Sequence, residues 1–136
     1  MMKAVTVTEG TSGDLPKAVS SVTAVDFGFD SVPDLKAGTS VVRLDNRGKQ
    51  IHELLLVGIP KGKSIDDLVS WAATEAGPPP VSLLQGVAVK AGENGTGEYT
   101  LEKGSTYAFV CIIPDFLGDM KPHITKGMRT APFTVA

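Results

Sequence analysis

The sequence predicts an all-β fold of about eight short strands in a two-sheet sandwich or barrel, with one α-helix inserted between strands. Two observations carry the β assignment. Short apolar stretches are punctuated throughout by turn residues, 15 glycines and 9 prolines in 136 residues, and they recur at the spacing of a sandwich or barrel. A third observation adds the helix: only "SIDDLVSWAATEAGPPP" carries helical periodicity.

In chain order the strands fall on Ala4–Thr8, Val22–Phe29, Thr39–Leu44, Ile51–Val57, Gly86–Lys90, Gly97–Leu101, Thr106–Ile113 and Pro132–Val135. "DNRGKQ" is a turn, because Asp45, Asn46 and Gly48 tolerate tight or left-handed backbone. The helix covers about residues 64–76. Ser64 is its N-cap, with Asp66 and Asp67 at the positive end. Ile65, Leu68, Val69 and Ala72 repeat as one apolar face, with Trp71 packing on its flank. Gly77 and the three prolines behind it stop the helix.

The length fits one domain over residues 1–136, with an N-terminal strand or arm over 1–20. A formal charge of −2 gives no reason to expect nucleic acid or an anionic membrane as partner. No apolar run approaches the ~20 residues that span a bilayer, so no transmembrane segment is expected. "MMKAVTVTEG" has a lysine but lacks the apolar stretch of a secretory signal. Either the protein stays in the cytoplasm, or a signal or anchor has been trimmed from it. The oligomeric state and the identity of any partner are not legible in these residues.

"CIIPDFLGDMKPHITKGM" gathers the single cysteine, one of two histidines and two of four methionines into one loop. Strand side chains alternate with period 2, so His52 shares a face with Leu54 and Leu56, and Cys111 with Tyr107 and Phe109. Both donors therefore point into the core, where His123 and Met128 can join them from the loop. Imidazoles, a thiolate and a weak thioether suit copper cycling between Cu(I) and Cu(II), while His-His-Cys also fits zinc. Separately, each residue has a plainer reading: inert buried thiol, satisfied core histidine, ordinary methionine. Met120 is read as a spacer or a distant alternative axial group.

The order "DNRGKQIHELLLV" … "LEKGSTYAFVCIIPD" … "KPHITKGM" … "FTV" resembles the cupredoxin (type 1 blue copper) family, nearest to its bacterial single-domain extracytoplasmic plastocyanin/azurin-like members. The resemblance covers most of residues 22–135 and implies a two-sheet Greek-key β-sandwich. It places one copper ion on His52, Cys111, His123 and Met128, with Glu53 and Asn46 supporting the ligands. Eleven residues separate Cys111 from His123, longer than in plastocyanin or azurin and closer to copper nitrite reductases. The family often has Asn or Ser after its first histidine, tying the ligand loops together. Glu53 stands there instead, with its backbone N–H available to the Cys111 sulfur. Tyr107 resembles the tyrosine corner of Greek-key sandwiches.

The function implied is a one-electron carrier between redox protein partners, working in the periplasm or at the cell surface. Pro114, Phe116, Leu117, Pro122 and Ile124 make the ligand loop unusually apolar, either as a docking surface around a surface-reaching His123 or as a cap on the core. An enzyme is not expected: both histidines are committed, leaving none for the further centres of nitrite reductases or multicopper oxidases. The alternatives are copper storage or delivery, and a scaffold with an empty or zinc-filled site. "KAGENGTGEY" lacks the Lys-Ser/Thr of a phosphate-binding loop and is a turn.

Overall fold

The computed structural model describes residues 20–136, so the strand expected at Ala4–Thr8 and nearly all of the arm lie outside it. Two four-stranded sheets face each other, in the orders β2-β1-β3-β6 and β5-β4-β7-β8. The first holds β1 (Ser20–Val25), β2 (Gly28–Asp30), β3 (Gly38–Asn46) and β6 (Asn94–Leu101). The second holds β4 (His52–Gly58), β5 (Ser82–Val89), β7 (Thr106–Val110) and β8 (Phe133–Thr134). β1 and β3 run parallel, and every other neighbouring pair is antiparallel.

The expected strand Val22–Phe29 is two strands: the chain turns at Asp26 and Phe27, and Val25 pairs back with Gly28. The apolar run hides the turn because Phe27 remains packed against the core. At the other end β7 stops at Val110, since Cys111–Ile113 leave the ladder to begin the loop that carries His123. β5 starts at Ser82, earlier than expected.

β4 reads "HELLLVG", apolar on both faces, and both faces are covered. Leu54 and Leu56 join Tyr107, Phe109 and Cys111 between the sheets. Leu55 and Val57 join Ala108 and Val110 under α1 (Ile65–Thr74), whose Ile65, Leu68 and Ala72 are buried there. The second sheet is thus an inner layer between the first sheet and the helix. Ser64 caps α1 as expected, its hydroxyl accepting from Asp67 N while Asp67 accepts from Ser64 N at 2.8 Å. The helix ends at Glu75 in a left-handed conformation, ahead of Gly77, whose carbonyl accepts from Trp71 Nε1 at 3.0 Å.

Two buried tyrosines fasten the sandwich. Tyr107 Oη accepts from Glu102 N at 2.8 Å, the expected corner. Tyr99 Oη donates to Leu54 O at 2.6 Å, and its ring meets Phe109 edge-on at 5.3 Å.

Candidate metal centre

His52 opens β4 and Cys111 follows β7 directly, so two neighbouring strands deliver one inward donor each. The chain then loops out and returns as a 3-10 turn, His123–Lys126. Ile124 pins this turn beneath α1 in the second core, and Arg129 reaches Asp66 on the helix at 2.8 Å. The inserted helix therefore supports the loop that carries the third donor.

The ligand atoms of His52, Cys111 and His123 all lie within 4.8 Å of one another, and all three side chains are fully buried. His52 Nδ1 is 3.2 Å from His123 Nδ1, which is 3.3 Å from Cys111 Sγ. Each imidazole spends its outer nitrogen elsewhere: His52 Nε2 on Asp26 Oδ1, and His123 Nε2 on Gln50 Oε1 at 3.0 Å. Both partners accept, so each Nε2 carries the hydrogen and each Nδ1 turns a lone pair inward. Two lone pairs facing each other beside a thiol repel, and a cation relieves that repulsion. The donor set fits a thiophilic metal whose histidines are held by outer hydrogen bonds.

Met128 is fully buried in the same core cluster as Cys111. Its carbonyl accepts from Cys111 N at 3.1 Å, and its N–H donates to His123 O at 3.2 Å. Met120 is 54% exposed and lies outside the core, so it is not an alternative axial group.

Asn46 and Glu53 both lie beside the cluster. Asn46 donates to the carbonyls of Gln50 and Val89, both at 2.8 Å, and accepts from Gly48 N, locking the turn ahead of His52. At Gly48 a Cβ would collide with Asp26 Oδ1 and His52 Nε2. Glu53 N donates to Cys111 Sγ at 3.4 Å, and Glu53 Oε1 accepts from Ile112 N at 3.0 Å. The Glu53 side chain thus ties the strand that opens at His52 to the segment that follows Cys111. Burial holds the Glu53 carboxyl above its ordinary range, with the Ile112 N–H opposing that rise.

Two expectations about the loop are corrected. His123 does not reach the surface: Phe27 packs on its ring with centroids 4.9 Å apart, and Gln50 covers Nε2. Ile124 is 1% exposed and belongs to the core, so it is unavailable for docking. Pro114 and Pro122 are half-buried and bridge the base of the loop, leaving Phe116 and Leu117 exposed at 56% and 70%. Three contributors were missed in the sequence: Asp26, hidden inside an apparent strand, and Gln50 and Asp115, ordinary polar residues in turns. For Asp26 the available signal was turn chemistry, an acidic residue inside an apolar run ahead of Gly28.

Burial pushes the Cys111 thiol up to about 12, against the donation from Glu53 N, so the metal-free protein holds a protonated thiol. A metal must displace that proton. At pH 8, saturation with a divalent ion is expected to release about one proton per ion, read by titration in weakly buffered solution. Uptake with no proton released would show that Cys111 is not a ligand.

Desolvation first, then the neighbouring His52, lowers His123 from 6.5 to about 4. Between those values the unfolded chain binds a proton that the native metal-free protein does not, so stability falls as pH drops from 6.5 to 4. Urea unfolding midpoints at pH 7 and pH 4.5, compared between the parent apoprotein and His123→Gln, test this, and an equal loss in both would refute it.

No protein-family model matches the chain, and no curated protein matches it significantly. Solved structures do. Auracyanin from the photosynthetic bacterium Roseiflexus castenholzii aligns with a TM-score of 0.59 at 22% identity, over 86% of this chain and 95% of that one. Auracyanin A, a "blue" copper protein from Chloroflexus aurantiacus, aligns with a TM-score of 0.58 at 19% identity, over 87% and 98%. An azurin from Methylomonas sp. strain J gives 0.53 at 15% identity, over 85% and 95%. At these identities the likeness establishes architecture. The chain has the cupredoxin fold, a two-sheet β-sandwich with one inserted helix and a buried His52–Cys111–His123 cluster.

Proposed function

We propose that the chain is one domain that holds one copper ion on His52, Cys111, His123 and Met128 and serves as a one-electron carrier between redox proteins outside the cytoplasm. The observation that carries this reading is the convergence of two inward Nδ1 atoms and one thiol, each imidazole fixed by an acceptor on its far side. When bound, copper supplies the Cu(I)/Cu(II) couple. The chain supplies rigidity. β4 is paired on both sides, the end of β7 is tied by Glu53, and the His123 turn is held by α1, so the donors move little between oxidation states. The extracytoplasmic placement rests on the family resemblance. Among the described residues no helix is long and apolar enough to cross a membrane.

A carrier fits better than an enzyme because both histidines of the chain stand at this one site. No histidine is left for another histidine-bound centre in this chain. The test is titration of apoprotein with Cu(II), followed by voltammetry. An intense thiolate-to-copper band saturating at one equivalent, with a reversible one-electron wave, is expected. Zinc retention with no visible band would favour the scaffold reading.

Phe116 and Leu117, with Pro114 and Pro122 at their base, form the docking surface for an apolar patch on the redox partner. Phe116→Ser with Leu117→Ser is expected to slow electron exchange with a competent partner about tenfold, the effect of losing one apolar hot spot. The visible spectrum should stay unchanged. Unaltered exchange would show that these residues are not the docking surface.

A further inference from the structure

Gln50 stands between two groups whose hydrogen-bonding roles are unequal. On one side its Nε2 lies 2.9 Å from Asp115 Oδ1, and on the other its Oε1 lies 3.0 Å from His123 Nε2. An ionised carboxylate only accepts, so the Gln50 –NH2 must face Asp115 and its carbonyl must face His123. His123 Nε2 must then donate, which leaves Nδ1 bare. The carboxylate is kept ionised from behind. Lys126 Nζ is 2.7 Å from Asp115 Oδ2 and 2.9 Å from Asp119 Oδ1. The bonds from Lys126 and then Gln50 hold the Asp115 carboxyl below its usual range. Backbone bonds also fix Asp115: its N donates to Lys121 O, and its O accepts from Gly118 N and Met120 N. At Gly118 a Cβ would collide with its carboxylate.

We infer that Gln50 is a positioning residue: Lys126 and Asp115 set the direction of its amide, and the amide sets the His123 tautomer that points Nδ1 at His52 and Cys111. The loop insertion "DFLGDM" therefore has a function at the site, because it brings Asp115 to Gln50. The consequence for copper rests on the carrier reading above; the tautomer does not, since it belongs to the apoprotein.

The experiment is long-range 1H–15N correlation on apoprotein labelled with 15N-histidine, at pH 7.5. The parent protein is expected to show His123 protonated at Nε2. Gln50→Leu removes the acceptor, and the two tautomers should mix. Asp115→Asn, nearly isosteric, lets the amide turn, and the Nδ1-protonated form should grow. Gln50→Glu combined with Asp115→Asn preserves the polarity of every bond. The introduced carboxylate would accept from His123 and from the introduced amide –NH2, while the carbonyl of that amide still accepts from Lys126. This pair should restore the Nε2–H form. In the loaded protein, Gln50→Leu should release copper to a chelator about tenfold faster, as for other outer contacts of metal-bound histidines. Retention of the Nε2–H tautomer in folded Gln50→Leu would overturn the inference, and if that variant does not fold, retention in Asp115→Asn would do the same. Absence of a copper band alongside the expected tautomer shifts would end the carrier reading and leave the positioning role standing.

Discussion

Cys111→Ser is expected to lose essentially all intense visible absorption on Cu(II) addition and to bind copper more than about 100-fold more weakly. Outer-contact changes alone cost about 10–100-fold, and this change removes the proposed ligand atom itself. The charge-transfer band needs a thiolate sulfur on the metal, and the chain has one cysteine. The substitution leaves the fold in place, because a hydroxyl is smaller than a thiol and can still accept from Glu53 N, now 3.4 Å from the sulfur. Apoprotein stability should therefore shift by no more than about 1–2 kcal/mol. Far-UV circular dichroism and urea unfolding separate this outcome from simple misfolding. A folded Cys111→Ser protein with the same blue absorption would remove the thiolate from the site and with it the proposed function.

Phe109→Ala is expected to destabilise the protein by about 3–5 kcal/mol. Phe109 is fully buried on β7 between the sheets. Its ring meets Tyr99 edge-on at 5.3 Å and lies 5.9 Å from Phe133, so truncation leaves an apolar cavity bounded by strands of both sheets. Paired strands relax little, which places the cost toward the upper half of that range. Two residues further on is Cys111, so the same cavity loosens the strand end that presents the thiol. Urea unfolding monitored at Trp71 measures the loss; a change below about 1 kcal/mol would mean that the core collapses around the gap.

The inward placement of the donors was readable from the chain. Period-2 parity put His52 beside Leu54 and Leu56, and Cys111 beside Tyr107 and Phe109, and both sets face the space between the sheets. The turn at Asn46–Gly48, the Ser64 cap and the Tyr107 corner were legible because each depends on residues a few positions apart. The strand split at Asp26 was not, since an apolar run reads the same with or without a turn inside it.

Loop chemistry misled in one respect. An apolar loop holding a histidine reads as a surface patch, and Phe116 and Leu117 are exposed as that requires. Ile124 and His123 in the same loop are buried, because α1 covers one, and Gln50 and Phe27 cover the other.

By itself the sequence determined the residue types, the alternation that turns two donors inward, and the helix with its cap. Those are short-range properties, set by backbone geometry and near neighbours along the chain. Only the tertiary structure decided which atoms of those donors face each other. Asp26 meets His52 across 26 positions, Gln50 meets Asp115 across 65, and Gln50 meets His123 across 73. Such pairings depend on how two sheets and a long loop pack, which residues a few positions apart along the chain do not encode.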